Sequence, residues 1–387
     1  MSLANVKLRY QNLPGRNAIE KMAFVSHWFL MRFLVARRMV DINCERCKPM
    51  SGFSKWQQAN DGFEQRVVCL SGFGHSGSGA VADLLSEYDG VDVRSNVDTN
   101  GSLKKTSTQE FTLLHYAGGL FSLENAFKEN NESHRDAALK SFLHFVAYLY
   151  VREGGIFNDQ FIERTRRFLK DIIYACSKPT YANGYAYCPQ MEALGTFGTH
   201  LVMGEGRCDS VFWLKDLSVE EYRRIAYDYV IEILRAMSRK PILVLDQAVS
   251  DGSADMEKYE SYLGPIRLIA VYRDPRDVFA TAINLKENWI PTDPDVFIHW
   301  YKNRIMPYLN LCHKHFKLIR FEDLVLDYES AVSGIEDFVG VDPCAHTRRK
   351  TCFDPARSCG NIGLFKSIPD TAAIRKIELE LGAFCRN

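Results

Sequence analysis

The densest chemical signal in the chain is the run Ser71-Gly72-Phe73-Gly74-His75-Ser76-Gly77-Ser78-Gly79, in which every residue but Phe73 and His75 is Gly or Ser. Glycines let a backbone turn its N–H groups inward and let an anion approach closely, and a following helix adds its positive N-terminal end. The ligand this chemistry suits is a phosphate. A glycine-rich turn with no ligand is the plain alternative. The spacing fits half of a Walker A loop: Gly72 and Gly77 match its two glycines, but Ser78 stands at the Lys position and Gly79 at the Mg²⁺-binding Ser/Thr position. A nucleotide-hydrolysing enzyme would lose its γ-phosphate cation and a metal ligand together. The loop therefore reads as a cradle for a phosphate handled without Mg²⁺ at that position.

A second anion site is legible at Arg273-Asp274-Pro275-Arg276-Asp277, with Thr281 eight residues after Arg273. Pro275 suits an early helix position and Asp277 a first helical turn. Arg273 then sits at a strand end, and Thr281 lies two turns into the helix, so guanidinium and hydroxyl can share one further phosphate. An ion pair between Arg273 and Asp277 is the competing structural reading.

Both motifs need strands that end beside one another. Val67–Leu70 is a short apolar run of the buried parallel type, and the segment 79–88 reads as a helix with Val81, Leu84 and Leu85 on one face. Val91–Arg94, Pro241–Leu245, Ile266–Tyr272 and Lys317–Phe321 read as further strands. Residues 111–239 read as mostly helical, including a periodic segment over 137–151 and a helix opened by a capping box at Ser218–Glu221. A final helix is expected over 371–384, capped by Asp370. Strands alternating with helices predict an α/β fold, a parallel sheet flanked by helices, with a large helical insertion at about 111–239. The expected division is a basic, apolar N-terminal helical segment (1–60) followed by this α/β domain (61–387).

Composition narrows the function further. The 387 residues are 46% hydrophobic and 25% charged, which excludes a disordered or collagen-like chain. Lys+Arg and Asp+Glu are both 48, so no global field attracts nucleic acid. The 11 cysteines are scattered, with Cys44 and Cys47 the one tight pair, and read as reduced thiols of a cytoplasmic protein. Residues 1–50 carry nine Lys/Arg against three acids around the apolar stretch 22–40, which Arg32 interrupts. Its apolar runs are too short to span a bilayer. It reads as a packed helix or as a peripheral contact of residues 20–40 with an anionic membrane surface.

Together these motifs resemble the sulfotransferases that use 3′-phosphoadenosine 5′-phosphosulfate (PAPS). The loop Gly72–Gly79 resembles their 5′-phosphosulfate loop, and the segment from Arg273 to Thr281 their 3′-phosphate motif. Ile319-Arg320-Phe321-Glu322-Asp323-Leu324 resembles a strand-end segment common in the family, and Asn361–Lys366 the C-terminal segment that closes over the nucleotide. The resemblance implies a P-loop-like fold with PAPS as donor, 3′,5′-adenosine diphosphate as product and no metal. It makes Gly74, His75, Ser76, Gly77, Ser78, Gly79, Arg273, Thr281 and Lys366 the nucleotide contacts.

His75 fills the place where relatives carry Lys or Arg, and is expected to act on the moving sulfuryl group as imidazolium or as a neutral donor. Gln247, after Asp246, stands where many relatives carry Lys. The resemblance places the general base in 94–115, with Asp98 or Glu110 favoured over Asp246 and His115. The implied acceptor is a carbohydrate hydroxyl, as in bacterial carbohydrate-type members. A P-loop kinase or NTPase, and an inactive nucleotide-binding scaffold in which His75 marks lost catalysis, are the alternatives.

Overall fold

The apolar run at Val67–Leu70 lies inside strand β1 (Arg66–Gly72), buried from its second residue to its last. In the computed structural model the described residues are 64–94, 111–129, 131–150, 157–177, 201–203, 211–250, 255–286 and 289–386. The segments holding Cys44, Cys47, residues 20–40, Asp98 and Glu110 lie outside them. After β1 come helix α1 (Ser78–Ser86), strand β2 (Val91–Arg94), and helices α2 (Leu120–Lys128), α3 (Glu132–Tyr148) and α4 (Asp159–Ile172). Strands β3 (Ile173–Ser177) and β4 (Val211–Leu214) follow, then helix α5 (Val219–Met237), strand β5 (Ile242–Asp246) and helix α6 (Met256–Leu263). Strand β6 (Ile266–Tyr272) leads into α7 (Pro275–Leu285) and α8 (Pro294–Leu309). Strand β7 (Phe316–Arg320), α9 (Phe321–Leu326), α10 (Tyr328–Val339), the short α11 (Pro355–Ser358) and α12 (Thr371–Leu381) complete the order.

Five strands form one sheet in the order β2-β5-β1-β6-β7, and every pairing is parallel. β1 lies at the centre, with Leu70 opposite Asp246 of β5 and Ile269 of β6. The chain leaves β1 toward β2 on one side and later builds β6 and β7 on the other. The reversal opens a crevice at the carboxyl ends of β1, β5 and β6, where open α/β sheets bind ligands. Strand residues of alternate parity feed two cores. Val68, Leu70, Ile269, Val271 and Ile319 pack with α1, α9 and α10, whereas Tyr272 and Leu318 join Phe73 and the apolar faces of α7, α8 and α12.

Among the described residues the insertion between β2 and β5 is mostly helical as expected, with one addition. It is helical in α2–α5, but β3 and β4 pair antiparallel within it. That stretch has no clean alternation, so periodicity did not reveal it. The capping box does form: Glu221 N–H donates to Ser218 Oγ at 3.1 Å, and Ser218 N–H to Glu221 Oε2 at 2.8 Å. The final helix begins on the expected cap, with Asp370 accepting from Ala373 N–H at 3.0 Å, but ends at Leu381.

A buried carboxylate ties the insertion to the sheet layer. Glu124 of α2 accepts two bonds from Arg223 of α5 (2.9 and 3.0 Å) and one from Tyr262 of α6 (2.6 Å), and pairs with Lys128 at 2.7 Å. Burial alone would raise its pKa, but the bonds from Arg223, Lys128 and Tyr262 outweigh it and hold the carboxyl at about 2. Its folded pKa lies below its unfolded value. The stabilisation is therefore present above the ordinary carboxylate range and is lost as pH falls from about 4.5 to about 2. Glu124→Gln is expected to lower stability at pH 7 by up to about 3 kcal/mol, a gap that closes toward pH 2. Urea unfolding of both proteins across that range checks it; a gap independent of pH would contradict it.

Candidate active site

The crevice holds a cavity of about 970 Å³ lined by the whole loop Gly72–Gly79, by Arg273 and Thr281, and by residues from the insertion and the C-terminal segment. The loop is shaped by backbone as much as by side chains. Ser76 N–H returns to Phe73 O at 2.8 Å, closing a turn in which His75 adopts φ 58. Gly77 precedes α1 at φ 99, and a Cβ there would stand 2.6 Å from the Phe321 ring. Both the dihedral and the contact require glycine. The Ser76 side chain is 1% exposed, and its Oγ has no hydrogen-bond partner among the described residues. A buried hydroxyl left this way at the mouth of a helix N-terminus is a donor waiting for an acceptor.

Arg273 follows β6 and is 5% exposed. Its Nη1 donates to His75 O at 3.3 Å and to Thr281 Oγ1 at 3.4 Å, and its Nη2 donates to Asn361 O. Its Nε is buried without a partner among the described residues. The guanidinium lies 5.4 Å from the Phe321 ring centre. Burial lowers its pKa, opposed by the charges of Asp277, Glu322 and Asp274. An arginine remains a cation through such a shift, so the site holds a poorly hydrated charge.

Arg273 and Thr281 thus lie side by side at the cavity wall, and the Thr281 hydroxyl itself donates to Asp277 O at 2.7 Å, while the charge of Asp277 acts on Arg273 and its carboxylate bonds elsewhere. That carboxylate accepts the backbone N–H of Gly363 at 2.9 Å and of Phe365 at 3.1 Å. Asp274 caps α7 by accepting from Arg276 N–H at 2.9 Å and binds the Arg276 side chain at 2.7 Å. Its own N–H donates to Glu322 at 2.9 Å. The paired acids and bases of this motif hold the framework, and Arg273 is the member that faces the cavity.

Two carboxylates fasten the C-terminal segment across the crevice. Asp277 holds 363–365. Glu87, buried at the end of α1, accepts N–H groups from Lys350 (3.0 Å), Cys352 (2.8 Å) and Phe353 (2.8 Å), and binds His346 at 2.7 Å. The chain between these anchors brings Phe353, Asp354, Arg357, Ser358 and Asn361 to the cavity wall. Lys366 sits exposed on the turn Leu364–Ser367 and is not among the lining residues; the cation this segment contributes there is Arg357. Sequence reasoning passed over Arg357, although Asp354-Pro355 is a helix-start signal that would have put it on the short α11. Glu87 left no such signal.

The cavity is also lined by His75, His115, Tyr116, Asp246, Gln247, Ser250 and Trp289. The His75 ring lies 5.7 Å from that of Trp289, which is 59% exposed. A Cβ on Gly74 would stand 2.3 Å from the same indole, so that glycine gives the indole its seat. Of the four base candidates, Asp246 and His115 are described and both line the cavity. Gln247 follows β5 at φ 55, and its Nε2 donates to Ser78 Oγ at 3.0 Å.

No family profile matches the chain, and no curated protein matches it. Solved structures that overlay on it include sulfotransferases. The sulfotransferase domain of the Synechococcus olefin synthase gives a TM-score of 0.41 at 14% identity, covering 86% of this chain and 100% of that one. The sulfotransferase domain of the curacin biosynthetic pathway gives 0.38 at 11%, covering 82% and 98%. A sulfotransferase from Mycobacterium avium gives 0.37 at 10%, covering 97% and 88%. Overlays this loose assign neither donor nor acceptor to this chain.

Gly77→Ala is expected to destabilise the protein by about 1–3 kcal/mol, because it puts a Cβ into both a left-handed backbone and the Phe321 ring. Urea unfolding reads this directly. An unchanged midpoint would show that the loop does not hold this turn in solution.

Proposed function

We propose that the protein is a sulfotransferase that moves the sulfuryl group of PAPS to a hydroxyl of an acceptor, with a carbohydrate the favoured class. The observation that carries the reading is a pair of cavity-lining residues, each with a buried donor that has no partner among the described residues: Ser76 with its Oγ in the glycine loop and Arg273 with its Nε at the end of β6. They rise from adjacent strands of the sheet. They suit a nucleotide with separate 5′ and 3′ anions better than a linear triphosphate. The Lys and Thr that would hold a γ-phosphate and Mg²⁺ are replaced by Ser78 and Gly79.

The loop N–H groups and Ser76 would receive the 5′-phosphosulfate, and Arg273 with Thr281 the 3′-phosphate. His75 would face the sulfuryl group and stabilise charge on the bridging oxygen as the S–O bond breaks. The acceptor oxygen attacks sulfur as its proton passes to a base, and 3′,5′-adenosine diphosphate leaves. Asp246 and His115 are the base candidates at the cavity wall. Asp98 and Glu110 remain candidates from the sequence. The exposed indole of Trp289 and the ring of Tyr116 offer apolar faces of the kind sugar rings stack on. The membrane contact of residues 20–40 and a cytoplasmic setting belong to the same proposal. Among the described residues no helix is long and apolar enough to cross a membrane.

Incubation with ³⁵S-labelled PAPS and a panel of oligosaccharide acceptors is expected to yield labelled acceptor with the wild type. His75→Ala is expected to lower transfer by about 100-fold or more, as for loss of one donor to developing charge. Tight binding of the donor without transfer to any acceptor would instead favour the inactive scaffold.

A further inference from the structure

We infer that Gln247 is a positioning residue that fixes the Ser78 hydroxyl as a donor to the anion in the glycine loop. This rests on the nucleotide reading above and assigns a role to a residue the motifs leave unexplained. Gln247 N–H donates to Leu70 O at 3.0 Å, extending the β1–β5 ladder one residue beyond Asp246 and tying Gln247 to the strand that enters the loop. Its left-handed backbone, φ 55, is unfavourable for a side-chain-bearing residue and marks a position held by its surroundings. The turn brings Nε2 within 3.0 Å of Ser78 Oγ, the first residue of α1, and both residues line the cavity.

The consequence is one of hydrogen-bond polarity. A serine hydroxyl has one proton and two lone pairs. The amide of Gln247 can only donate through Nε2, so it fills a lone pair of Ser78 and leaves the Ser78 proton directed elsewhere. At the N-terminus of a helix, where carbonyl acceptors are few, that proton is available to a ligand in the loop. Ser76 Oγ, buried without a partner among the described residues, offers a second donor two residues away. A loop lacking the Walker lysine would thus meet its anion with two oriented neutral donors, one of them set by Gln247.

Calorimetric titration with 3′,5′-adenosine diphosphate and with adenosine 3′-monophosphate, which lacks the 5′ anion, tests this. Gln247→Met keeps side-chain length and removes the donor. It is expected to weaken the diphosphate by about 3- to 10-fold, the worth of one neutral hydrogen bond, and leave the monophosphate within about 2-fold. In a Ser78→Ala background the same substitution is expected to have no further effect, because its action runs through that hydroxyl. Gln247→Glu, equal in shape but accepting where Gln donates, is expected to weaken the diphosphate more than Met does. Equal weakening of both ligands, or a full effect that persists without the Ser78 hydroxyl, would reduce Gln247 to a structural residue and overturn the inference. If the wild type bound neither ligand, the nucleotide reading would fall, and this inference with it.

Discussion

Arg273 carries a guanidinium taken out of water at the end of the central sheet, and both walls of the cavity meet at it. Arg273 is surrounded by groups that use its hydrogens without removing its charge. The carbonyls of His75 and Asn361 and the hydroxyl of Thr281 all accept from it. Tyr301 donates to its carbonyl at 2.6 Å and so fixes the backbone that carries it. Acceptors of this kind orient a cation but do not neutralise it; the charges of Asp277, Glu322 and Asp274 act on Arg273 without forming an ion pair with it among the described residues, and a buried cation held this way favours an anionic ligand. Through the same bonds Arg273 joins the glycine loop to the C-terminal segment, so the two walls of the cavity share one charge.

The acids whose charges act on Arg273 divide the work. Asp274 and Glu322 build the start of α7, and Asp277 accepts backbone N–H groups of the C-terminal segment, as Glu87 does at the end of α1. Burial raises the pKa of Glu322, partly opposed by bonds from backbone N–H groups. Asp277 accepts main-chain N–H groups, and Asp274 also holds the Arg276 side chain, so Arg273 makes its own hydrogen bonds to carbonyl and hydroxyl oxygens.

Much of the fold was legible because parallel strands are buried on both faces and read as apolar runs. Val67–Leu70, Ile242–Leu245 and Ile266–Tyr272 are of that kind, and each is a strand of the sheet. The glycine loop was legible because its conformation demands particular residues, Gly77 above all. Arg273 and Thr281 were legible because their spacing is fixed by one helix. What was not legible depends on contacts distant in sequence. Glu87 meets the backbone of residues 263 to 266 positions away, and no local pattern announces a carboxylate destined for main-chain donors. The choice of Arg357 rather than Lys366 at the cavity wall follows from those anchors and was hidden with them. Asp98 and Glu110 lie outside the described residues, so the base rests where the sequence left it, among four candidates.

The proposed crevice takes a nucleotide with separate 3′ and 5′ anions, bound without a metal. Calorimetric titration of the wild type and of Arg273→Ala with 3′,5′-adenosine diphosphate, and with ATP–Mg²⁺ for comparison, tests it most directly. The diphosphate is expected to bind the wild type selectively and in the presence of a chelator, and Arg273→Ala is expected to lose about 10-fold or more in affinity, as for a buried charge-assisted contact. Preference for ATP–Mg²⁺, or diphosphate binding indifferent to Arg273, would contradict it.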